Sequence, residues 1–412
     1  MKKPAIAIVG TFDSKGEEHL FLKDCIERRG IPTLTINVGT KKPSAFAADI
    51  DLYPGIRRSL KGKPGNRDKA IETAISEARK VIRARYDRGE IAGMISAGGG
   101  TGTHLGTSIM RVLPLGVPKV MVSTVASRDM AKTVGTKDIT MMHSVVDLLG
   151  VNSISGMILE RAAGAVCGMV KSRWKAKGNK KRIALTFFGF LTKGAEEIKR
   201  SLEAMGYEVV PFHANGTGGM AMEELAREGY FDGILDFAIH ELADELTGGY
   251  CRGIGPERLE PPPGRAIPRL VVPGGMDCAV LEFTRDTVPP EHRNRKLFFY
   301  DFRSAIRLNR KETATLASQV AEKLKLDPAR VKVLVPKQGF SEADHVNGPL
   351  YDPAMNSVFV RKLKKELNPL VEVREADYHI NDAAFARLAA EMMDAMVRGY
   401  AQTVLPVGAD RL

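Results

Sequence analysis

The feature that most constrains this chain is that it starts twice. Lys3-Pro4-Ala5-Ile6-Ala7-Ile8 is echoed by Lys181-Arg182-Ile183-Ala184-Leu185-Thr186, and Ser14-Lys15-Gly16-Glu17-Glu18 by Thr192-Lys193-Gly194-Ala195-Glu196-Glu197. Both openings read as a short apolar strand that runs into a turn and a helix. Further along, the strand Thr33 to Val38 corresponds to Glu208 to Phe212, each followed by a Gly-Thr pair at Gly39-Thr40 and Gly216-Thr217. Pro118-Lys119-Val120-Met121-Val122 likewise corresponds to Pro268-Arg269-Leu270-Val271-Val272. A chain of 412 residues exceeds the usual size of one core. The expectation is therefore two domains of one topology related by an internal repeat, 1–175 and 183–412, with a basic stretch near 172–182 between them.

Within the first half, strands are predicted at Ile6 to Gly10, Thr33 to Val38, Gly93 to Ala97 and Lys119 to Ser123. Helices are predicted at Glu17 to Arg29, closed by Gly30, and at Asp68 to Tyr86. Alternation of buried strands with helices requires a mainly parallel sheet covered on both faces, so the fold class is α/β, two Rossmann-like doubly wound domains. The second half should end with strand Val331 to Val335, a helix after Asp352-Pro353, strand Leu370 to Arg374 and a helix from Asp382. Residues Pro261 to Arg310 read as a long irregular stretch, a loop placed to reach into a cleft.

Composition excludes several classes. Hydrophobic residues make up 44% and charged residues 27%, no apolar run approaches the roughly 20 residues that span a bilayer, and the N-terminus shows no signal-peptide pattern, so a cytoplasmic protein is expected. Cys25, Cys167, Cys251 and Cys278 lie far apart and form no CxxC pair, which predicts buried thiols. A net charge of +12 favours anionic ligands, but the basic residues are scattered and lack interleaved aromatics, which argues against nucleic acid.

The strand at Ile95 runs straight into Gly98-Gly99-Gly100-Thr101-Gly102-Thr103-His104. Glycines free the backbone to take positive φ and leave no Cβ in the way, so successive amides are able to face phosphate oxygens, with threonine hydroxyls as extra donors. The apolar pattern Leu105, Ile109, Met110, Val112 predicts a helix starting just past the loop, whose positive end adds to the attraction. A tight turn that binds nothing is the plainer alternative. On the same sheet edge, Asp13 is placed to orient a metal or a hydroxyl, Ser14 to cap the next helix and Lys15 to meet a phosphate, or to be a solvent lysine. The glycine run is similar to the phosphate loop of tubulin and the bacterial division proteins, yet theirs closes on glycine where this chain has His104; a polymerising GTPase is thus a poor fit. No Walker pattern occurs at this loop.

In the second half Asp236 to Glu241 occupy the place of the phosphate loop. His240, Glu241 and Asp244 fall at helical spacing, either as an acid–base pair or as an exposed polar face. Ser341, Asp352 and His379 occur in the chain order of a hydrolase triad, without the Gly-x-Ser-x-Gly elbow; His379 and Asp382 are better read as capping the closing helix. His104 either contacts a phosphate or caps its helix.

These segments together resemble the Tm-one-like family over nearly the whole chain. The resemblance rests on Gly10 to Lys15, Asn66 to Ala70, Gly98 to Thr103, Pro118 to Ser127, Gly135 to Asp138, Ser144 to Asp147, Ala243 to Gly249, Gly339 to Ser341 and His379 to Ala386. It implies an ATP-binding N-terminal domain, two Rossmann-like units and a homodimer. Carried across by motif, the nucleotide touches Asp13, Ser14, Lys15, Thr40, Arg67 and the backbone of Gly98, Gly99, Gly100, Thr101, Gly102 and Thr103. The stretch Tyr300 to Arg310 departs from the family pattern, so a second-domain ligand would differ here. The expectation is an ATP-binding protein, with Mg²⁺, with turnover left open between two readings: an ATP-dependent enzyme on a small anionic metabolite, or a non-catalytic module that uses nucleotide to bind a partner protein.

Overall fold

Residues of the first strand alternate between two cores. Ile6 and Ile8 face one side, with Ile95, Ala97, Val120 and Val122, while Ala7 and Val9 face the other, with Ile36, Met94 and Met121. A sheet apolar on both faces is stable only between two helical layers, and the computed structural model shows that arrangement. The structure describes residues 3–60, 67–172, 174 and 178–404; Asn66 of the sequence motif, and Arg173 and residues 175–177 of the basic stretch, lie outside the described residues.

The chain divides into two compact units, Met1–Ala176 and Lys177–Leu412. The first contains β1 (Ala5–Gly10), α1 (Gly16–Glu27), β2 (Thr33–Asn37), β3 (Ile50–Asp51), α2 (Tyr53–Ser59), α3 (Arg67–Asp87) and β4 (Ile91–Gly98). It continues with α4 (Gly100–Met110), β5 (Lys119–Ser123), α5 (Ala131–Val134), β6 (Thr140–His143) and α6 (Ser153–Lys171). The strands are parallel in the order β3-β2-β1-β4-β5-β6. Leu22 and Ile26 of α1 join Leu159 and Val166 of α6 on one face, and Ala74 and Ile82 of α3 join Ile109 of α4 on the other. By length and composition α6 is apolar enough to cross a membrane, contrary to the expectation that no run comes close; here it buries Ile158, Leu159, Ala162, Ala163 and Val166 in the core.

Lys119 is wholly buried at the start of β5, where its Nζ donates to Asp138 (2.6 Å) and to the carbonyls of Pro114 (2.8 Å) and Val117 (2.7 Å). Replacing Asp138 by alanine removes a charged partner from a buried ammonium. The expected cost is about 3 kcal/mol, read as a lowered urea midpoint for the first unit.

The second unit contains β7 (Arg182–Phe187), α7 (Thr192–Ala204), β8 (Glu208–His213), α8 (Thr217–Glu228), β9 (Gly233–Asp236), α9 (Glu241–Thr247) and β10 (Arg269–Val271). There follow β11 (Cys278–Leu281), β12 (Leu297–Phe299), β13 (Ser304–Arg307), α10 (Arg310–Leu324), β14 (Val331–Pro336), α11 (Pro353–Glu366), β15 (Glu372–Ala376) and α12 (Ala383–Val404). Its six-stranded sheet runs β15-β14-β10-β9-β7-β8, again parallel. The stretch from Pro261 to Arg310 is a correction: it carries β10 and a separate antiparallel sheet, β11-β13-β12. Short three- and four-residue strands interrupted by proline and arginine lack the length that makes a strand visible in sequence.

Both sheets reverse direction beside their first strand. Chain order runs one way from β1 to β2 and the other to β4, and likewise from β7 to β8 and to β9. In open α/β sheets the crevice beyond the strand C-termini at such a reversal is where ligands bind.

Candidate functional site

At the reversal point of the first sheet lies a cleft of about 220 Å³, lined by Thr11, Asp13, Ser14, Lys15, Thr40, Lys41, Arg67 and Gly98 to Gly102, with Ile71 and Leu105. Ten of the eleven residues expected at a nucleotide site meet there. Thr103 does not: its hydroxyl is turned inward onto Ser123 (2.6 Å), and its amide donates to the Gly99 carbonyl (2.7 Å).

The glycine run differs from its expectation in two ways. First, α4 begins inside it, at Gly100, rather than after it. Second, none of Gly98, Gly99, Gly100 or Gly102 has positive φ. What these positions require is the absence of a side chain. A Cβ on Gly98 would meet the Gly102 Cα at 2.8 Å, whereas one on Gly100 meets nothing within 4 Å. Gly98 lets the strand end pack on the helix, and Gly100 faces the cleft. Gly99 is the N-cap of α4 and no side chain caps it, so the first-turn amides point outward with no intrahelical acceptor. Gly106 serves the same packing, since a Cβ there would meet Ser96 Oγ at 2.7 Å and Met121 Sδ at 2.9 Å.

Two buried polar residues, not singled out in the sequence, hold the surrounding loops. Asn37, at the end of β2, accepts from the amides of Phe12 (3.0 Å) and Gly39 (2.9 Å) and donates to Asp51 (2.8 Å). His19 lies against the Lys15 carbonyl through Nδ1 (2.6 Å) and receives the Ala97 amide at Nε2 (3.4 Å), tying the start of α1 to β4. A Cβ on Gly10 would fall 2.0 Å from His19 Nε2, so β1 must end in glycine.

Burial holds His19 down to about pKa 4, against the carbonyl of Lys15, which acts the other way. The imidazole is neutral when folded and titrates at its ordinary 6.5 when unfolded, so stability is full above pH 6.5 and is lost as pH falls toward 4. Urea unfolding at pH 7 and pH 4.5 should show wild type losing about 2–3 kcal/mol more than His19→Gln.

Asp13 is buried and its Oδ2 accepts from the Lys41 amide (2.9 Å), so one of its oxygens secures the Gly39–Lys41 turn. Ser14 does not cap α1: its hydroxyl donates back to the Thr11 carbonyl (3.3 Å) and Oγ1 (3.1 Å), and the N-cap is Lys15. Arg67 opens α3 and its Nη2 reaches Thr101 Oγ1 (3.2 Å) across the cleft. Lys15, Lys41 and Arg67 thus surround the α4 N-terminus, with Lys41 absent from the sequence-derived set. His104 is exposed inside α4 and does not cap it.

In the second unit the hydrolase triad is not assembled. The Ser341 hydroxyl donates to Asp277 (2.7 Å), His379 Nε2 meets the Ser341 carbonyl (3.0 Å), and Asp352 caps α11 by accepting from Met355 (3.1 Å). Asp382, just before α12, accepts from the His379 amide (2.8 Å), a residue that precedes it, so the bond closes the turn into the helix and is not the N-cap bond expected of it. His240, Glu241 and Asp244 are fully buried, which corrects the exposed polar face. Glu241 pairs with buried Arg258, which also reaches Asp236 (2.7 Å) and Glu223 (3.1 Å), while Arg269 binds Glu223 (2.6 Å). The four cysteines are free and buried, as expected.

Models described as the N-terminal and C-terminal domains of the uncharacterised protein family UPF0261 match residues 4–175 and 180–397. The chain belongs to the UPF0261 family. A UPF0261 protein of Clostridium tetani is 37% identical over 92% of this chain and 96% of its own length. The ToMV resistance protein Tm-1(GCR237) of Solanum lycopersicum is 32% identical over 93% of this chain, which spans 54% of that protein. Among solved structures, the S. aureus MnaA-UDP co-structure aligns over the full length of both chains at 10% identity and a TM-score of 0.21, too low to carry any argument.

Proposed function

We propose that the first unit of this UPF0261 protein binds ATP, with Mg²⁺, in the cleft at the α4 N-terminus, as a cytoplasmic homodimer. The supporting observation is the convergence of uncapped first-turn amides of α4, Gly100 open to the cleft, and the cations Lys15, Lys41 and Arg67. Helix-end amides and fixed cations suit a polyphosphate, and guanidinium adds bidentate contact. The oxygen donors for the metal would be Asp13 and the hydroxyls of Thr11 and Ser14, which line the same cleft. Mg²⁺ would neutralise phosphate charge there.

A small anion would be held separately, by the second unit. A cleft of about 570 Å³ there has an apolar floor at Phe340 and Val360 and cations at Lys337, Arg361 and Lys365. Lys364 on its rim is paired with Glu375 (2.7 Å). The test is release of ADP or phosphate when Mg·ATP is supplied with candidate sugar acids; ATP bound without turnover, in the presence of every acid tried, would favour the non-catalytic module. Arg67→Ala should weaken ATP binding about 10- to 100-fold, since a charge-assisted hydrogen bond contributes about 1.5–3 kcal/mol. Calorimetry with unchanged apo melting would register it.

A further inference from the structure

The reversal point of the second sheet holds no glycine run. β7 ends beside Phe188 and β9 leads through Asp236 into His240 and α9. His240 is wholly buried, its ring stacked on Phe188 (centroids 3.8 Å apart, planes at 14°), and neither ring nitrogen has a hydrogen-bond partner among the described residues. Asp244 and Cys251 complete a group in which a ring nitrogen, a carboxylate oxygen and the sulfur all lie within 4.8 Å of one another. Asp244 is fixed by backbone amides: Val280 donates to Oδ1 (2.7 Å) and Cys251 to Oδ2 (2.8 Å). An imidazole buried without a partner is costly, and this one sits where two metal-ligating groups are already held in place.

We propose that His240, Asp244 and Cys251 bind one borderline-soft divalent cation of the zinc class. Mixed nitrogen, sulfur and oxygen donors suit Zn²⁺, and three protein ligands leave a fourth position for water or an exogenous ligand. Bonds of about 2.0–2.3 Å in a tetrahedron place ligand atoms roughly 3.3–3.8 Å apart, so the three close in by at most about 1.5 Å.

Charge supports the same reading. Counting Asp244 itself, four buried carboxylates, with Glu223, Asp236 and Glu241, stand here against two buried arginines, Arg258 and Arg269. Glu241 Oε2 and Asp236 Oδ2 lack hydrogen-bond partners among the described residues. A dication in this interior compensates the excess negative charge.

The test uses the full chain stripped of metal by a chelator, without nucleotide, so that its outcome is independent of the ATP reading. Titration with Co²⁺ should give one equivalent per chain, a thiolate-to-cobalt charge-transfer band and intense tetrahedral d–d absorption. Cys251→Ser should lose the charge-transfer band, and His240→Gln should weaken Co²⁺ binding about tenfold or more. Because either variant risks misfolding, wild type carries a second reading: X-ray absorption of the one-equivalent Zn²⁺ complex should show one sulfur among otherwise nitrogen and oxygen neighbours. Folded wild type that takes up no stoichiometric Co²⁺ or Zn²⁺, a charge-transfer band that persists in folded Cys251→Ser, or a zinc shell without sulfur would overturn the proposal.

Discussion

Gly100→Asp should abolish nucleotide binding while leaving the apo protein as stable as wild type or more so. The two effects separate because of where Gly100 stands. It is the first residue of α4, and a Cβ there meets nothing within 4 Å, so the substitution displaces no neighbour. A carboxylate in the first helical turn interacts favourably with the helix dipole by about 0.3–1 kcal/mol, and replacing a helical glycine contributes about 0.5–1 kcal/mol more. The same carboxylate stands where phosphate would be. At about 4 Å and an effective dielectric near 20, like charges repel by about 4 kcal/mol, so ATP affinity should fall roughly 1,000-fold. Thermal melting with and without Mg·ATP reads both quantities in one experiment. Gly98→Ala is the counterpart: its Cβ would press on Gly102 at 2.8 Å, so it should lose stability by about 1–3 kcal/mol even without nucleotide. Equal ATP-induced shifts in wild type and Gly100→Asp would place any nucleotide elsewhere.

The largest effect on stability is expected from Arg258→Met. Arg258 is fully buried, with its guanidinium against Glu223, Asp236 and Glu241. Removing it leaves three carboxylates with only Arg269 beside them, and an unpaired buried charge costs about 3–5 kcal/mol. The loss should appear in the urea midpoint of the second unit. It should also depend on pH with a definite sign. Glu241 is held above the ordinary carboxyl range by burial, with Arg258 opposing; without that arginine the folded state favours the protonated acid still more. Stability of the variant should therefore rise as pH falls from 7.5 toward 5, narrowing the gap to wild type. A loss under about 1 kcal/mol at pH 7.5 would mean that the cluster is not held by this arginine.

The strand frames were legible because Ile6 to Gly10, Lys119 to Ser123 and Val331 to Val335 are short apolar runs between turn residues, and doubly buried strands have no other signature. The repeat was legible because the same crossovers recur at the reversal of each sheet. The glycine run announced a close approach, but not its cause: Gly98 is required by Gly102 rather than by a left-handed backbone. His19 and Asn37 were invisible because a single polar residue within an apolar pattern carries no period, and its partners, Ala97 for one and Phe12 for the other, are set by strand pairing. Glu241 and Asp244 read as solvent-facing because charge in a helix usually is. Their burial depends on Arg258 and on the amides of Val280 and Cys251, partners that no local window reveals.

The most direct test of the central claim is a crystal structure of the protein soaked with Mg²⁺ and a non-hydrolysable ATP analogue. The account predicts phosphate oxygens on the amides of Gly100 to Gly102, within reach of Lys15, Lys41 and Arg67. A nucleotide bound to the second unit alone, or a first-unit cleft that stays free of it at saturating concentration, would contradict it.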